Sequence, residues 1–121
     1  MKQWKPQGWH SVTPRLVAAD PAKLVRFLRD AFGAVGEFER DMPSQVEIGD
    51  SLVMVSGEGP RPVTSSFLYL YVEDADAAYR RAMAAGARSI EEPADMPYGD
   101  RRAMIEDPGG NVWQIATYRP G

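Results

Sequence analysis

The feature that most constrains this chain is an internal repeat. The segment RLVAADPAKLVRFLRDAFGA at positions 15–34 is echoed by YLYVEDADAAYRRAMAAGA at positions 69–87. Each copy contains an apolar, strand-like run, then an Asp, a helical pattern and a Gly-Ala stop. Self-similarity of this kind indicates two copies of one supersecondary unit. We therefore expect two similar modules that share one cavity, and the residues lining that cavity should decide the function.

The helix of each copy has recognisable start and stop signals. Asp20 and Asp74 stand where an N-cap side chain accepts a free backbone amide. Pro21 follows at the first helical position, where the missing amide of proline costs nothing. Gly33 and Gly86 stand where helices commonly close in a left-handed conformation. These signals predict one helix in each half of the chain.

Strand patterns complete both halves. Short runs of branched, aromatic or alternating residues predict strands over residues 12–18, 36–40, 45–48 and 52–55, and again over residues 67–72, 88–90, 102–106 and 112–118. Residues 92–100 are predicted to form a proline-containing loop. Each half thus has the order βαβββ, and the predicted fold class is α+β, with a curled mixed sheet around a cleft. We expect a tail at 1–11 and one domain at 12–118, made of repeats 12–57 and 66–118 joined by a linker at 58–65.

Composition excludes several classes of function. The formal net charge is −3 and no basic stripe is present, which argues against a nucleic-acid partner. The absence of cysteine excludes thiolate nucleophiles and cysteine-ligated metals. No apolar run reaches the roughly 18 residues that span a bilayer, so we expect no membrane partner and a cytoplasmic location. Trp4 and Trp9 in the tail are expected to pack against the domain or a partner subunit.

Three segments carry a resemblance to a known family. They are LVAADPAKLVRFLRDAFGA in the first half, YVEDADAAYRRAMAAGA in the second and RRAMIEDPGGNVWQIATY near the C-terminus. With them the chain resembles the vicinal oxygen chelate superfamily, which contains glyoxalase I, bleomycin-resistance proteins and extradiol dioxygenases. The last segment is the most specific, because the family commonly ends in a strand reached through an Asp-Pro-x-Gly-Asn turn. The resemblance implies a glyoxalase-like protein with paired βαβββ modules, each curling an open sheet around a cleft, and usually a homodimer.

The resemblance also implies where a metal would lie. Enzymes of this family hold a divalent ion on four side chains, typically His, Gln and Glu, at positions that correspond here to Thr13, Met54, Phe67 and Gln114. A phenyl ring donates no electron pair, a thioether is a soft ligand, and neutral Thr and Gln are weak ligands for such ions. We therefore predict no metal and no other cofactor. The single imidazole, at His10, has no evident companion ligands and is interpreted as a tail or edge residue.

The same positions identify a candidate ligand pocket, because strand residues alternate between two faces. The predicted ligand-binding residues on the strands are Thr13, Arg15, Met54, Ser56, Phe67, Tyr69, Tyr71 and Gln114, with Val17, Val112 and Ala116 on the same face. Such a lining suits a small organic ligand with a planar or aromatic part, and Arg15 suits an anionic group. Filling of the cleft by its own aromatic side chains is an equally weighted alternative.

A loop near the second module adds two further candidates. Its Tyr-Gly-Asp-Arg segment resembles one seen in many stand-alone glyoxalase-like proteins, and Tyr98 and Arg101 are predicted to close over the mouth of the cleft as a lid. Asp100 is expected to have a structural role, by pairing with an arginine.

Three hypotheses for function follow. The first is a metal-free small-molecule binder similar to the bleomycin-resistance proteins. The second is a metal-dependent lyase, isomerase or dioxygenase. The third is a metal-free enzyme, or a structural dimer whose cleft is plugged by aromatic side chains. Whether the chain is an enzyme stays open, and no catalytic residue can be named from the sequence.

Overall fold

The computed structural model describes residues 3–119 of the chain. The first half contains β1 (Arg15–Val17), α1 (Pro21–Phe32), β2 (Ser44–Ile48) and β3 (Ser51–Ser56), and the second contains β4 (Phe67–Tyr71), α2 (Ala75–Ala84), β5 (Arg88–Asp95), β6 (Arg101–Glu106) and β7 (Val112–Thr117). Among the described residues, no helix has the length and apolar character needed to cross a membrane.

The two halves share the same sheet topology, except that the first sheet has three strands and the second has four. The first sheet has the order β1-β3-β2 and the second the order β4-β7-β6-β5. In each, the strand before the helix pairs in parallel with the last strand of its half, and the other pairs are antiparallel. The α+β fold and the duplicated module are thus confirmed. The two sheets remain separate and do not close into a barrel.

The predicted helix caps are present in both halves. The Asp20 carboxylate accepts the Lys23 amide, and the Asp74 carboxylate accepts the Ala77 amide, each at 3.1 Å. Gly33 closes α1 with φ of 67°, a left-handed conformation that glycine adopts without the steric cost of a side chain. Local sequence signals therefore determine where both helices begin and where α1 ends.

The strand predicted over residues 36–40 is wrong. Residues 36–40 are irregular, and an isolated bridge joins the preceding residue, Val35, to Glu47. Gly36 has φ of 144°, and its backbone lies directly against the Gln45 carbonyl, where a side chain would not fit. After this glycine the Glu39 amide donates to the Ser44 hydroxyl of β2 at 2.8 Å, so a side chain takes the place of a backbone ladder.

Two other strand boundaries also differ from prediction. β5 continues to Asp95 through residues predicted to form a loop, with register shifts on both sides of Glu91. It is an edge strand, where Pro93 can be accommodated because no further strand requires its missing amide. β1 begins only at Arg15, directly after Pro14.

Both helices contribute to one hydrophobic core. α1 packs on the first sheet, α2 packs on the second, and the two helices contact each other. The most buried large side chains of this core include Leu16, Leu24, Leu28, Ile105 and Ile115. The Phe32 ring of α1 reaches Trp113 of β7, with centroids 5.0 Å apart. Each sheet therefore uses one face to cover the shared core and turns its other face outwards.

Candidate functional site

The outer face of each sheet, defined as the face turned away from the helices, carries the residues predicted to line the cleft. Along β1, Leu16 is fully buried whereas Arg15 is exposed. Along β4, Leu68 and Leu70 pack on the core, and the residues that alternate with them are exposed. The period-two alternation deduced from the sequence thus assigned these faces correctly.

An aromatic row, formed by Phe67, Tyr69 and Tyr71 of β4, dominates the outer face of the second sheet. These residues are 69%, 41% and 58% exposed, so within one chain they do not form core. The Tyr69 and Tyr71 rings lie against each other, with centroids 5.3 Å apart and planes tilted by 56°. A contiguous exposed apolar surface of this kind is typical of a binding site.

Asp100 holds the two tyrosines of this row by hydrogen bonds. Asp100 is only 3% exposed, and its Oδ2 atom accepts hydrogen bonds from the Tyr69 hydroxyl at 2.7 Å and from the Tyr71 hydroxyl at 2.8 Å. A buried carboxylate needs such donors, since its desolvation would otherwise be costly. The expected ion pair between Asp100 and an arginine is absent from the described residues. Asp100 therefore has the structural role expected for it, but its partners are two phenol hydroxyls and not an arginine.

A hydrogen-bonded chain extends from this carboxylate across the sheet. Because Tyr69 donates to Asp100, its oxygen is available to accept from the Tyr98 hydroxyl, 3.0 Å away. The Tyr98 oxygen in turn accepts from Arg102 Nη1 at 3.1 Å, and Arg102 Nη2 donates to Glu91 Oε1 at 3.1 Å. The Arg102 side chain is 15% exposed. The rings are thus oriented by a continuous series of donors and acceptors.

This arrangement perturbs both tyrosines in the same direction. Burial of the hydroxyl, with hydrogen bonds to Tyr98 and Asp100, raises the pKa of Tyr69 far above its ordinary value. The hydrogen bond to Asp100, with some desolvation, raises the pKa of Tyr71. Both phenols therefore stay protonated through neutral pH and act as hydrogen-bond donors.

Arg101 lies away from this surface. It makes a bidentate pair with Asp76 of α2, at 3.0 and 3.1 Å, and also contacts Asp95 at 3.4 Å. The hydrogen bond from Arg101 lowers the pKa of Asp76, and that of Arg101 is raised. Arg101 therefore joins β6 to α2, and the lid role expected for it does not match its position.

Arg102 is the residue of this candidate site that sequence reasoning missed. It pairs with Ala116 of β7, which was already assigned to the cavity face. Since directly paired residues share a face, the register of β6 against β7 carried the missing signal. That register is a tertiary property and could not be deduced from either strand alone.

The predicted site residues form two groups on different sheets. Phe67, Tyr69, Tyr71, Tyr98 and Gln114 belong to the second module, where Gln114 is the direct partner of Tyr69 on β7. The first module contributes Thr13, Arg15, Met54 and Ser56, where Met54 pairs with Arg15 and the Arg15 Nε atom donates to Ser56 Oγ at 3.0 Å. Within one chain, the structure does not bring the two groups together.

The donor set at the family's metal positions does not fit a divalent metal. Met54 and Thr13 lie in the first module, and Phe67 and Gln114 lie in the second, so only weak or non-donating side chains stand there. Within residues 3–119, no cluster of three or more His, Asp or Glu side chains is suited to hold a metal. The His10 Nε2 atom instead contacts the Asp50 carbonyl at 3.0 Å, beside the β2–β3 turn. Trp4 is exposed in the single chain.

A groove of about 740 Å3 lies between the two modules, and Tyr71 is the one predicted ligand-binding residue in its lining. Its lining includes Phe32 and Gly49 from the first module and Tyr71, Asp74 and Tyr118 from the second. A smaller cavity of about 140 Å3 lies at the outer face of the first sheet, beside Arg15 and Ser56.

Comparison with known proteins is consistent with this architecture. An uncharacterised protein of Mycobacterium bovis is 29% identical over 126 residues, covering 87% of this chain and 81% of that protein. The crystal structure of TioX from Micromonospora sp. ML1 superposes with a TM-score of 0.76 at 22% identity, covering 90% of this chain and 98% of the other. A glyoxalase-related enzyme from Fulvimarina pelagi gives a TM-score of 0.74 at 21% identity, covering 89% and 87%. At these identities the structural matches show a shared fold. The family model of the Glyoxalase/Bleomycin resistance protein/Dioxygenase superfamily matches residues 10–115, and the chain belongs to that superfamily.

Proposed function

We propose that this protein is a metal-free binder of a small organic ligand, and that the planar part of the ligand stacks on the aromatic row. The observation that carries the proposal is the exposure of Phe67, Tyr69 and Tyr71 on one sheet face. Aromatic rings offer a planar ligand a large contact area, and they lose little conformational entropy on binding.

The support beneath the row favours binding over accidental exposure. Two of the three rings are held by the Asp100 carboxylate, and one of them is also held by Tyr98. A surface that is fixed before the ligand arrives pays less ordering entropy on association. Gln114, which pairs with Tyr69, supplies an amide within the same face for hydrogen bonding.

The proposal includes a homodimer. Each sheet covers the shared core with one face and turns its outer face away from that core, so the two outer faces of one chain do not enclose a cleft with each other. A second copy that covers the aromatic row with its own first module would complete a pocket and shield the exposed rings. Concave sites at subunit contacts are a common way to enclose a small ligand.

The proposal is tested by a thermal-shift screen of planar aromatic compounds on the purified full chain. A ligand that binds only the folded state raises the midpoint of unfolding. The shift should disappear in Phe67→Ala and Tyr71→Ala and persist in Phe38→Ala, which removes an exposed aromatic ring in the first module. If the control variant loses the shift equally, or if no planar compound binds, the aromatic row is not the ligand site.

The two alternative functions give different results. A metal-dependent lyase, isomerase or dioxygenase requires one tightly held divalent ion per chain, which metal analysis of protein purified without chelator would detect. A structural dimer with a plugged cleft requires that the row be buried by its partner. In that case Phe67→Ala should dissociate the dimer in sedimentation experiments, and no ligand should bind.

A further inference from the structure

We propose that the first module contains a separate oxyanion-binding pocket, built by Arg15, Arg61 and Ser56, that takes a carboxylate or phosphate group. This pocket would bind the anionic end of the ligand. The inference rests on the proposed function only for the planar end of the ligand. Arg61 comes from the segment predicted to be a linker, and no local pattern in the sequence indicates that it would line the same cavity as Arg15.

The cavity has the size and walls of a small-anion site. It has a volume of about 140 Å3 and is lined by Arg15, Val17, Ser56, Gly57, Pro60 and Arg61. A water molecule occupies about 30 Å3 of liquid, so the cavity holds about four or five groups of that size. A carboxylate has three heavy atoms and a phosphate has five. Apolar walls at Val17 and Pro60 lower the local polarity, which strengthens a charge-assisted hydrogen bond.

The hydrogen-bonding groups at the cavity are donors. The Arg15 Nε atom donates to Ser56 Oγ at 3.0 Å, which leaves both Nη groups of Arg15 without a partner among the described residues. Because the Ser56 oxygen accepts that bond, its own hydroxyl proton is free to point into the cavity. Arg61 adds a second guanidinium. Planar guanidinium groups match the paired oxygens of carboxylate and phosphate.

The positive charge at this cavity is not neutralised within the described chain. Neither Arg15 nor Arg61 lies within ion-pair distance of any described carboxylate. The nearby Glu58 directs its Oε1 atom to the Val63 amide at 3.4 Å. Two cations that approach one cavity repel each other, and an anion between them removes that cost.

The second module presents the opposite situation. On its outer face, Arg88 is paired with Glu106 at 2.8 Å, and Arg102 is paired with Glu91 at 3.1 Å. Its cations are therefore already compensated, and an anionic group gains little there. The contrast locates the anionic end of a ligand on the first module and the planar end on the second.

The segment that carries Arg61 is held against the sheet. The Thr64 amide donates to the Val17 carbonyl at 3.4 Å, and the Gly59 amide donates to the Arg61 carbonyl at 3.3 Å. These bonds tie residues 59–64 to β1 and fold them into a turn. These contacts place the backbone of Arg61 beside the cavity that its side chain helps to line.

The test is calorimetric titration of the full chain with inorganic phosphate, and in a second series with benzoate, against chloride at equal ionic strength. Wild-type protein should bind phosphate, benzoate or both saturably, once per chain. Arg15→Gln and Arg61→Gln should each weaken the binding about tenfold or more, as expected for loss of a charge-assisted hydrogen bond. Arg15→Lys, which keeps the charge without the planar fork, should fall between wild type and Arg15→Gln.

Arg40→Gln is the matched control, because Arg40 is exposed and has no ion pair among the described residues. Equal weakening in this control, or no saturable binding beyond that of chloride, would overturn the oxyanion pocket. Phe67→Ala should leave phosphate binding unchanged. If phosphate binds as expected but no planar compound does, the pocket stands and the proposed function fails; planar binding without anion binding overturns the pocket alone.

Discussion

Replacement of Asp100 by alanine removes the group that orients the aromatic row. A hydrogen bond to a charged acceptor contributes about 1.5–3 kcal/mol, and the bond from the partly desolvated Tyr69 hydroxyl belongs in that range. Tyr71 is 58% exposed and can regain water, so its bond adds little to the loss. Removing a desolvated carboxylate recovers part of this loss. We expect Asp100→Ala to lower the free energy of unfolding by about 2–3 kcal/mol.

Chemical denaturation at neutral pH measures this loss directly. In a chain of this size it corresponds to a fall of about 8–12 °C in the unfolding midpoint. Asp100→Asn retains an acceptor oxygen but no charge, and should lose about half as much. Asp95→Ala is the control, because it removes an exposed carboxylate paired with Arg101 and Arg119 and should cost about 0–1 kcal/mol.

Two results would refute the reasoning. One is a loss in Asp100→Ala no larger than that in Asp95→Ala. The other is strict additivity of Asp100→Ala with Tyr69→Phe, because directly bonded partners should show a coupling energy of about 0.5–3 kcal/mol in a double-mutant cycle. If the reasoning is right, Asp100→Ala should also weaken any ligand that stacks on the row, because the rings lose their fixed orientation.

Three further predictions concern stability. The raised pKa of Tyr69 means that the folded state holds its phenol proton more tightly than the unfolded state. The resulting stabilisation is complete below about pH 10 and is lost as pH rises beyond it. Tyr69→Phe should flatten this alkaline loss of stability in denaturant titrations, and an unchanged pH profile would contradict the assignment. Gly36→Ala should lower the free energy of unfolding by more than about 2 kcal/mol, because the new side chain would meet the Gln45 carbonyl. Gly59→Ala has open space and an unstrained φ, so its free energy of unfolding should change by no more than about 0.5 kcal/mol. Similar losses in the two variants would contradict this steric argument. Asp107→Ala should lower the free energy of unfolding by about 3–5 kcal/mol, because the buried carboxylate accepts hydrogen bonds from four different groups of the β6–β7 turn and β7. In thermal or denaturant unfolding, a loss below about 1 kcal/mol would show that the turn forms without this carboxylate.

The β6–β7 turn explains why the Asp-Pro-x-Gly-Asn motif occurs in the sequence. The Asp107 carboxylate accepts the Gly109 and Asn111 amides, the Asn111 side-chain amide and the Trp113 indole N–H. Gly110 has φ of 86°, a conformation that favours glycine. The buried Asp107 carboxylate thus stabilises the Asp-Pro-x-Gly-Asn turn and the start of β7. These hydrogen bonds account for the motif without a catalytic role.

Much of the site was predictable because alternation along a strand is a local property. Exposed Arg15 and Tyr69, buried Leu16 and half-buried Leu70 follow from period two once a strand is placed. Arg101 was predicted as a lid residue of a loop, and Arg102 was not considered for the site. The structure places both residues on β6, and pairing with Ala116 places Arg102 on the outer face.

The sequence by itself determined the duplicated module, both helices, the family and the face on which the aromatic row lies. These depend on capping residues, periodicity and turn chemistry, which act over a few neighbouring positions. Tertiary structure alone decided that Asp100 would bind two tyrosine hydroxyls, that Arg61 would line one cavity with Arg15, and that the two modules would form separate sheets. Those outcomes depend on strand register and on the packing of α1 against α2, which join residues far apart in the chain and leave no local pattern in it.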